Sequence, residues 1–69
     1  MEYKARSLET PYDILRAALK KEKAAYRYYD NLLKDEKVHA LREFLEDLRN
    51  EEYKHIRRIE KKLSQMELG

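Results

Sequence analysis

The chain lacks cysteine and tryptophan altogether, and it has one proline and one glycine, the glycine being its last residue, Gly69. Without cysteine there is no disulfide, no zinc–thiolate site and no iron–sulfur cluster. A run of about 18 apolar residues is also missing, so no segment reads as a membrane span. Met1 to Thr10 lacks the apolar stretch of a signal peptide, and a cytoplasmic location is the expectation. Charge of one sign is lacking too: 43% of residues are charged, yet the net charge is only +2. The short basic runs Lys20-Lys21, Arg57-Arg58 and Lys61-Lys62 are flanked by glutamates. Phosphate binding needs clustered, unbalanced positive charge, so nucleic acid is not an expected partner. High charge with little Gly, Asn or Gln is also a composition seen in thermophiles.

What is present is helix. Sixty-nine residues make one small domain at most, and ordering them costs on the order of 100 kcal/mol, which a lone two-helix hairpin cannot offset. With disulfides excluded, association with other chains, with or without metal, is the remaining route to stability. Met1 to Glu9 has no clear period and reads as a mobile arm. Thr10 is placed to cap a helix beginning at Pro11, with Asp13 in its first turn. Good helix formers then run to about Lys34. Lys34 to Lys37 breaks the apolar pattern, and Asp35 is placed to cap a second helix from about Glu36 to Met66. So short a connection makes the helices antiparallel neighbours, and the expected fold is an all-α hairpin over residues 11–67.

Each helix carries a seam at alternating spacings of three and four. The first is Leu15, Leu19, Glu22, Tyr26, Tyr29 and Leu33; the second is Val38, Leu41, Leu45, Leu48, Glu52, His55 and Ile59. Ile14, Ala18, Ala25 and Leu32 flank the first, and Phe44, Ile56 and Leu63 flank the second. Stripes this broad suit a four-helix bundle, which two hairpins paired about a two-fold axis would form. Glu22, Glu52 and His55 are the polar interruptions of the seams, and a charge on a packed face is costly unless it is paired, hydrogen-bonded or metal-bound. Counted from the turn at 1.5 Å per residue, they sit at heights of roughly 20, 25 and 29 Å, a spread that tilt and side-chain length can close. A dimer would then hold four carboxylates and two imidazoles in one layer, the ligand set of carboxylate-bridged di-iron and di-manganese bundles. Such donors suit Fe(II) or Mn(II), and Zn(II) less specifically. The competing reading is a buried Glu22–His55 ion pair with Glu52 turned to a basic group of a neighbouring chain.

Tyr26 and Tyr29 lie one and two turns from Glu22 on its face. They read as core aromatics whose hydroxyls reach the polar layer, or as groups that bond a ligand carboxylate. Tyr53 is expected beside that layer or in solvent, Tyr12 and Tyr28 at a surface or interface, and His39, Glu46, Asp47 and Glu51 on solvated faces.

The stretches ILRAALKKEKAAYRYY (Ile14–Tyr29) and LREFLEDLRNEEYKHI (Leu41–Ile56) resemble the ferritin-like superfamily, in particular its rubrerythrin-type and encapsulated-ferritin-like members. With the turn, the resemblance covers most of residues 12–63. It implies that Glu22, Glu52 and His55 are metal ligands, with Glu52 bridging, and that the cofactor is iron, two per dimer. It also implies ferroxidase-type activity in iron oxidation, storage or oxidative-stress defence. A protein shell or iron-storage partner belongs to that expectation, although no shell-targeting tail is recognisable after Met66. Rubrerythrin-type domains carry four helices in one chain and a cysteine-rich electron-transfer domain, whereas this sequence has half the helices and no cysteine. Encapsulated ferritins instead build the site between two-helix subunits. Lys21, Lys23 and Ala25 around Glu22 leave no second acidic uptake site. The alternatives are a peroxide reductase served by a separate electron donor, and a metal-free structural hairpin.

Overall fold

A computed structural model describes residues 10–68; the expected N-terminal arm, Met1 to Glu9, lies outside them. Helix α1 spans Pro11–Leu32. Its start is the expected one: Thr10 is extended (φ −133°, ψ 159°), and its Oγ1 accepts the Asp13 N–H at 3.0 Å. Replacing Thr10 by Ala removes that acceptor and should cost about 1 kcal/mol of helix stability. The melting temperature should fall by a few degrees, with Thr10→Ser restoring it; an unchanged melt would show that the first turn frays in the native state.

The chain leaves α1 without glycine and, among the described residues, without any positive φ. The last turn tightens instead, with Leu33 N–H donating to Tyr29 O (3.0 Å), Lys34 to Asn31 O (3.1 Å) and Asp35 to Leu32 O (3.0 Å). A guanidinium nitrogen of Arg42 reaches back to the Leu33 carbonyl at 2.8 Å. It thereby satisfies an oxygen that a helix C-terminus otherwise leaves to solvent. Asp35 is extended and its carboxylate accepts the Lys37 N–H at 2.9 Å, so the expected cap forms.

The segment after this cap departs from the expected α-helix. Glu36–Leu41 is a 3-10 helix, and α2 proper spans Arg42–Leu68. A 3-10 helix turns about 120° per residue rather than 100°. Six such residues shift the phase of everything before Arg42 relative to α2. Leu41, expected in the seam, is consequently 54% exposed, while Ile56 and Leu63, expected as flanks, are buried with Leu45 and Leu33. Leu45, Ile56 and Leu63 are spaced eleven and seven residues apart, whole turns of one face. His55, one residue before Ile56, is therefore rotated out of the interhelical core to its margin.

The two edges of the hairpin are unlike. Along one, polar and aromatic pairs cross between the helices: Tyr12 hydroxyl to Glu67 (2.9 Å), Lys23 to Glu60 (4.0 Å), and Arg49 to Asp30 (3.0 Å). Tyr26 also packs on Tyr53, with ring centroids 6.4 Å apart. Along the other lie Ile14, Tyr28 and Phe44, each at least half exposed. The molecule measures 44 × 33 × 13 Å, and its smallest dimension is the thickness of one helix layer. Domains bury their apolar stripes between at least two layers. This one has a single layer with, among the described residues, four that are buried. No helix among the described residues is long and apolar enough to cross a membrane.

A candidate metal centre at the open face

Glu22 sits at mid-length of α1; Glu52 and His55 lie one turn apart near the middle of α2. One ligand atom from each comes within 4.8 Å of the others. The height difference of about one turn closes for a reason built into helices. Cα–Cβ bonds tilt toward a helix's N-terminus, so on antiparallel helices the side chains lean in opposite directions. Glu22 leans away from the turn, whereas Glu52 and His55 lean toward it, and the three converge.

His55 Nδ1 lies 3.2 Å from Glu22 Oε1, within hydrogen-bond reach, and 3.8 Å from Glu52 Oε1, beyond it. Glu52 Oε1 is buried and has no hydrogen-bond partner. The proximity of the carboxylates drives their proton affinities apart. Glu52 is held above the ordinary carboxylate value, first by its hydrogen bond to Glu22, then by burial and by the charge of Glu22. Glu22 is held below it, chiefly by the hydrogen bond from Glu52 and further by His55 and Lys21, with burial opposing. Of the two metal-free carboxylates, Glu52 therefore holds a proton more tightly than Glu22. Two like charges this close do not both ionise readily.

A cation fits this cluster. Two oxygen donors and one imidazole are the chemistry of Fe(II) and Mn(II) sites, and the orphaned Glu52 oxygen is a buried acceptor of the kind a bound ion satisfies. The Glu22–His55 contact of the competing ion-pair reading is also present, but Glu52 stays within the cluster. His55 remains 45% exposed, and it shares a groove on the open face with Leu15, Glu22, Arg58, Ile59 and Lys62. The site is thus half-walled.

The tyrosines sort differently. Tyr26 packs on Tyr53 and Tyr29 on Tyr28, with centroids 5.4 Å apart in the second pair. Neither Tyr26 nor Tyr29 hydrogen-bonds a ligand carboxylate among the described residues, so they stand as aromatic packing next to the cluster. Tyr12 is tied to Glu67, with Arg16 5.8 Å over its ring. His39, Asp47 and Glu51 are exposed as expected, whereas Glu46 is partly covered. Two residues that the sequence did not single out are Arg49, which bonds Asp30 of α1, and Arg42, which bonds the Leu33 carbonyl just past its end. The signal for Arg49 was spacing, since it lies seven residues before Ile56 on the same face.

Two antiparallel helices, one supplying a carboxylate and the other a Glu-x-x-His, are half of a ferritin-like carboxylate metal bundle. The rubrerythrin family model matches residues 13–69, and the chain belongs to that family. Membership implies metal binding, typically of iron. Neither a curated protein nor a solved structure matches the chain.

Proposed function

We propose that two hairpins pair through their open faces, bring two copies of the Glu22–Glu52–His55 cluster into one layer, and form a dinuclear ferroxidase-type centre. The observation that carries this reading is the convergence of three ligand atoms on an uncovered face, one of them a buried oxygen without a partner. Bound there, a pair of iron ions (manganese or zinc by the same donor set) supplies redox chemistry in which Fe(II) gives electrons to dioxygen or peroxide. The chain's own residues do the rest. Glu52, whose hold on a proton is raised beside Glu22, must be ionised for both carboxylates to hold a cation, and the half-exposed edge at His55 leaves the cluster open to solvent for that exchange. Leu15 and Ile59 border the groove, and a second hairpin over them excludes water. The physiological role is iron oxidation feeding storage, or oxidative-stress defence, with a protein shell or iron store as the partner for the product.

Anaerobic Fe(II) loading followed by metal analysis tests the reading, with about one ion per chain expected from a site shared between two hairpins. Background iron would leave the metal-free hairpin, for which the Glu22–His55 contact speaks. Stopped-flow oxidation of the loaded protein should proceed with dioxygen; oxidation by peroxide alone would favour the peroxide reductase with a separate donor. Chelation should lower the melting temperature, because an ion held only by the folded pair stabilises it by mass action.

A further inference from the structure

Charge is ordered along α2 well beyond the residues of the metal site. The acids Glu43, Glu46, Asp47, Glu51 and Glu52 occupy its first half, and the bases Lys54, Arg57, Arg58, Lys61 and Lys62 its second. The exceptions are occupied within the chain: Arg42 bonds the Leu33 carbonyl, Arg49 bonds Asp30, Glu60 lies near Lys23 and Arg57, and Glu67 accepts the Tyr12 hydroxyl. A helix dipole favours acids early and bases late, but its influence fades within the first and last turns. Asp47, Glu51 and Arg58 lie well inside the helix.

Four of these charges form one strip. Asp47, Glu51, Arg58 and Lys62 follow at spacings of four, seven and four, which places them within about 60° of one another on the helix. The strip runs beside Phe44, Leu48, His55 and Ile59, at the outer margin of the open face. All four are exposed. Among the described residues Asp47, Arg58 and Lys62 make no ion pair, and Glu51 meets only its helix neighbour Lys54, at 3.5 Å. On the stitched edge, by contrast, Lys23 and Arg49 each meet an acid of the other helix.

The order is self-complementary. Asp47 with Lys62, and Glu51 with Arg58, are centred on the same point, between Lys54 and His55. An interface about a two-fold axis requires that if one residue meets a second on the partner, the second meets the first. Flanking charges of this kind set partner choice and orientation where helices pair. The open edge of α1 offers no match, since its charge is Lys21, between Ala17, Ala18 and Ala25.

We infer that α2 pairs antiparallel with α2 of a second copy of this chain, the two-fold axis passing beside His55. Asp47 faces the partner's Lys62 and Glu51 faces the partner's Arg58. The inference rests on the pairing of hairpins proposed above and adds its register. That register sets the two Glu52–His55 motifs side by side at the axis, so the ion pairs, whose Arg58 and Lys62 line the groove that holds Glu22 and His55, align the two halves of the site.

Charge reversal tests the inference with no metal present. The variants D47K/E51K and R58E/K62E each put like charges across the interface, so each alone should dissociate by at least about tenfold more readily at low salt. Mixed one to one, they should recover a heterodimer, read by sedimentation in chelator. The quadruple variant D47K/E51K/R58E/K62E should pair with itself as the native chain does, which guards against a variant that merely fails to fold. Either double variant pairing normally, a mixture that stays dissociated beside a paired quadruple variant, or a quadruple variant that does not pair would overturn the register. Native chains remaining single both in chelator and with Mn(II) would overturn the pairing itself. Recovery of the heterodimer in protein that binds no iron would leave the register standing and remove the ferroxidase reading.

Discussion

Glu52→Gln should empty the site of metal and, in the same protein, raise the melting temperature of the metal-free form. The first effect follows from the removal of one of two oxygen ligands. The second follows from the cost of Glu52 when ionised. Its affinity for a proton is raised in the fold, first by the hydrogen bond to Glu22 and then by burial. Such a group contributes stability fully below its unfolded pKa, and that contribution is lost as pH rises through the folded value. Glu22 has the opposite sign: its lowered value contributes stability above the unfolded pKa, lost as pH falls through the folded one. Once the pH has risen past the folded value of Glu52, the native metal-free chain therefore keeps the Glu22 contribution and has lost that of Glu52. Glutamine resembles the protonated acid and its amide donates to Glu22 at every pH. Melting curves in chelator should show the variant above the native chain on the alkaline side of the Glu52 titration, with the gap closing as the pH falls through it. A variant whose melting curve never rises above the native one at any pH, or that still takes up iron, would remove Glu52 from the role assigned to it.

Ile56→Ala should have the largest effect on folding itself. Ile56 is 8% exposed and is one of four buried apolar side chains among the described residues, with Leu33, Leu45 and Leu63. Truncating such a residue costs roughly 2–5 kcal/mol, against total stabilities of about 5–15 kcal/mol for ordinary domains. A single helix layer stands at the low end of that range, so the metal-free variant should be largely unfolded at micromolar concentration by circular dichroism. Raising the protein concentration should restore part of the helical signal. Ile56→Val, costing roughly 0.5–1.5 kcal/mol, should remain folded. A full-length Ala variant with a native melt would show that the hairpin core lies elsewhere.

The hairpin, its two caps and the three converging polar residues were legible because each is written locally. Thr10 before Pro11, Asp35 before Glu36, and Glu-x-x-His at one-turn spacing need only neighbouring residues to be read. Phase was harder. The same Glu36–Leu41 segment can close its hydrogen bonds at a step of three or four, and apolar spacing does not choose between them. Because the α2 stripe is wide, turning it by 100° leaves it apolar, so His55 and Ile56 could exchange roles on paper. Only the packing against α1 decides that Ile56 goes inside and His55 stays at the margin. The meeting of Glu22 with Glu52 was visible as a rough height match. Its closeness came from the opposed lean of side chains on antiparallel helices, which counting Cα positions omits. Arg42 escaped notice because a long side chain that caps the previous helix leaves no periodic trace.

The hydrogen bond from Tyr12 to Glu67 has a topological consequence. It puts the start of α1 and the end of α2 at one end of the hairpin, away from the turn. In the proposed antiparallel pair, the two copies then carry their chain ends at opposite poles. Joining such copies in tandem calls for a crossover along the whole length of α2, whose 27 residues rise about 40 Å. That is at least about a dozen fully extended residues. A short linker between repeats would force the copies side by side in the wrong sense, so a single-chain version of this bundle requires a long strap on its surface.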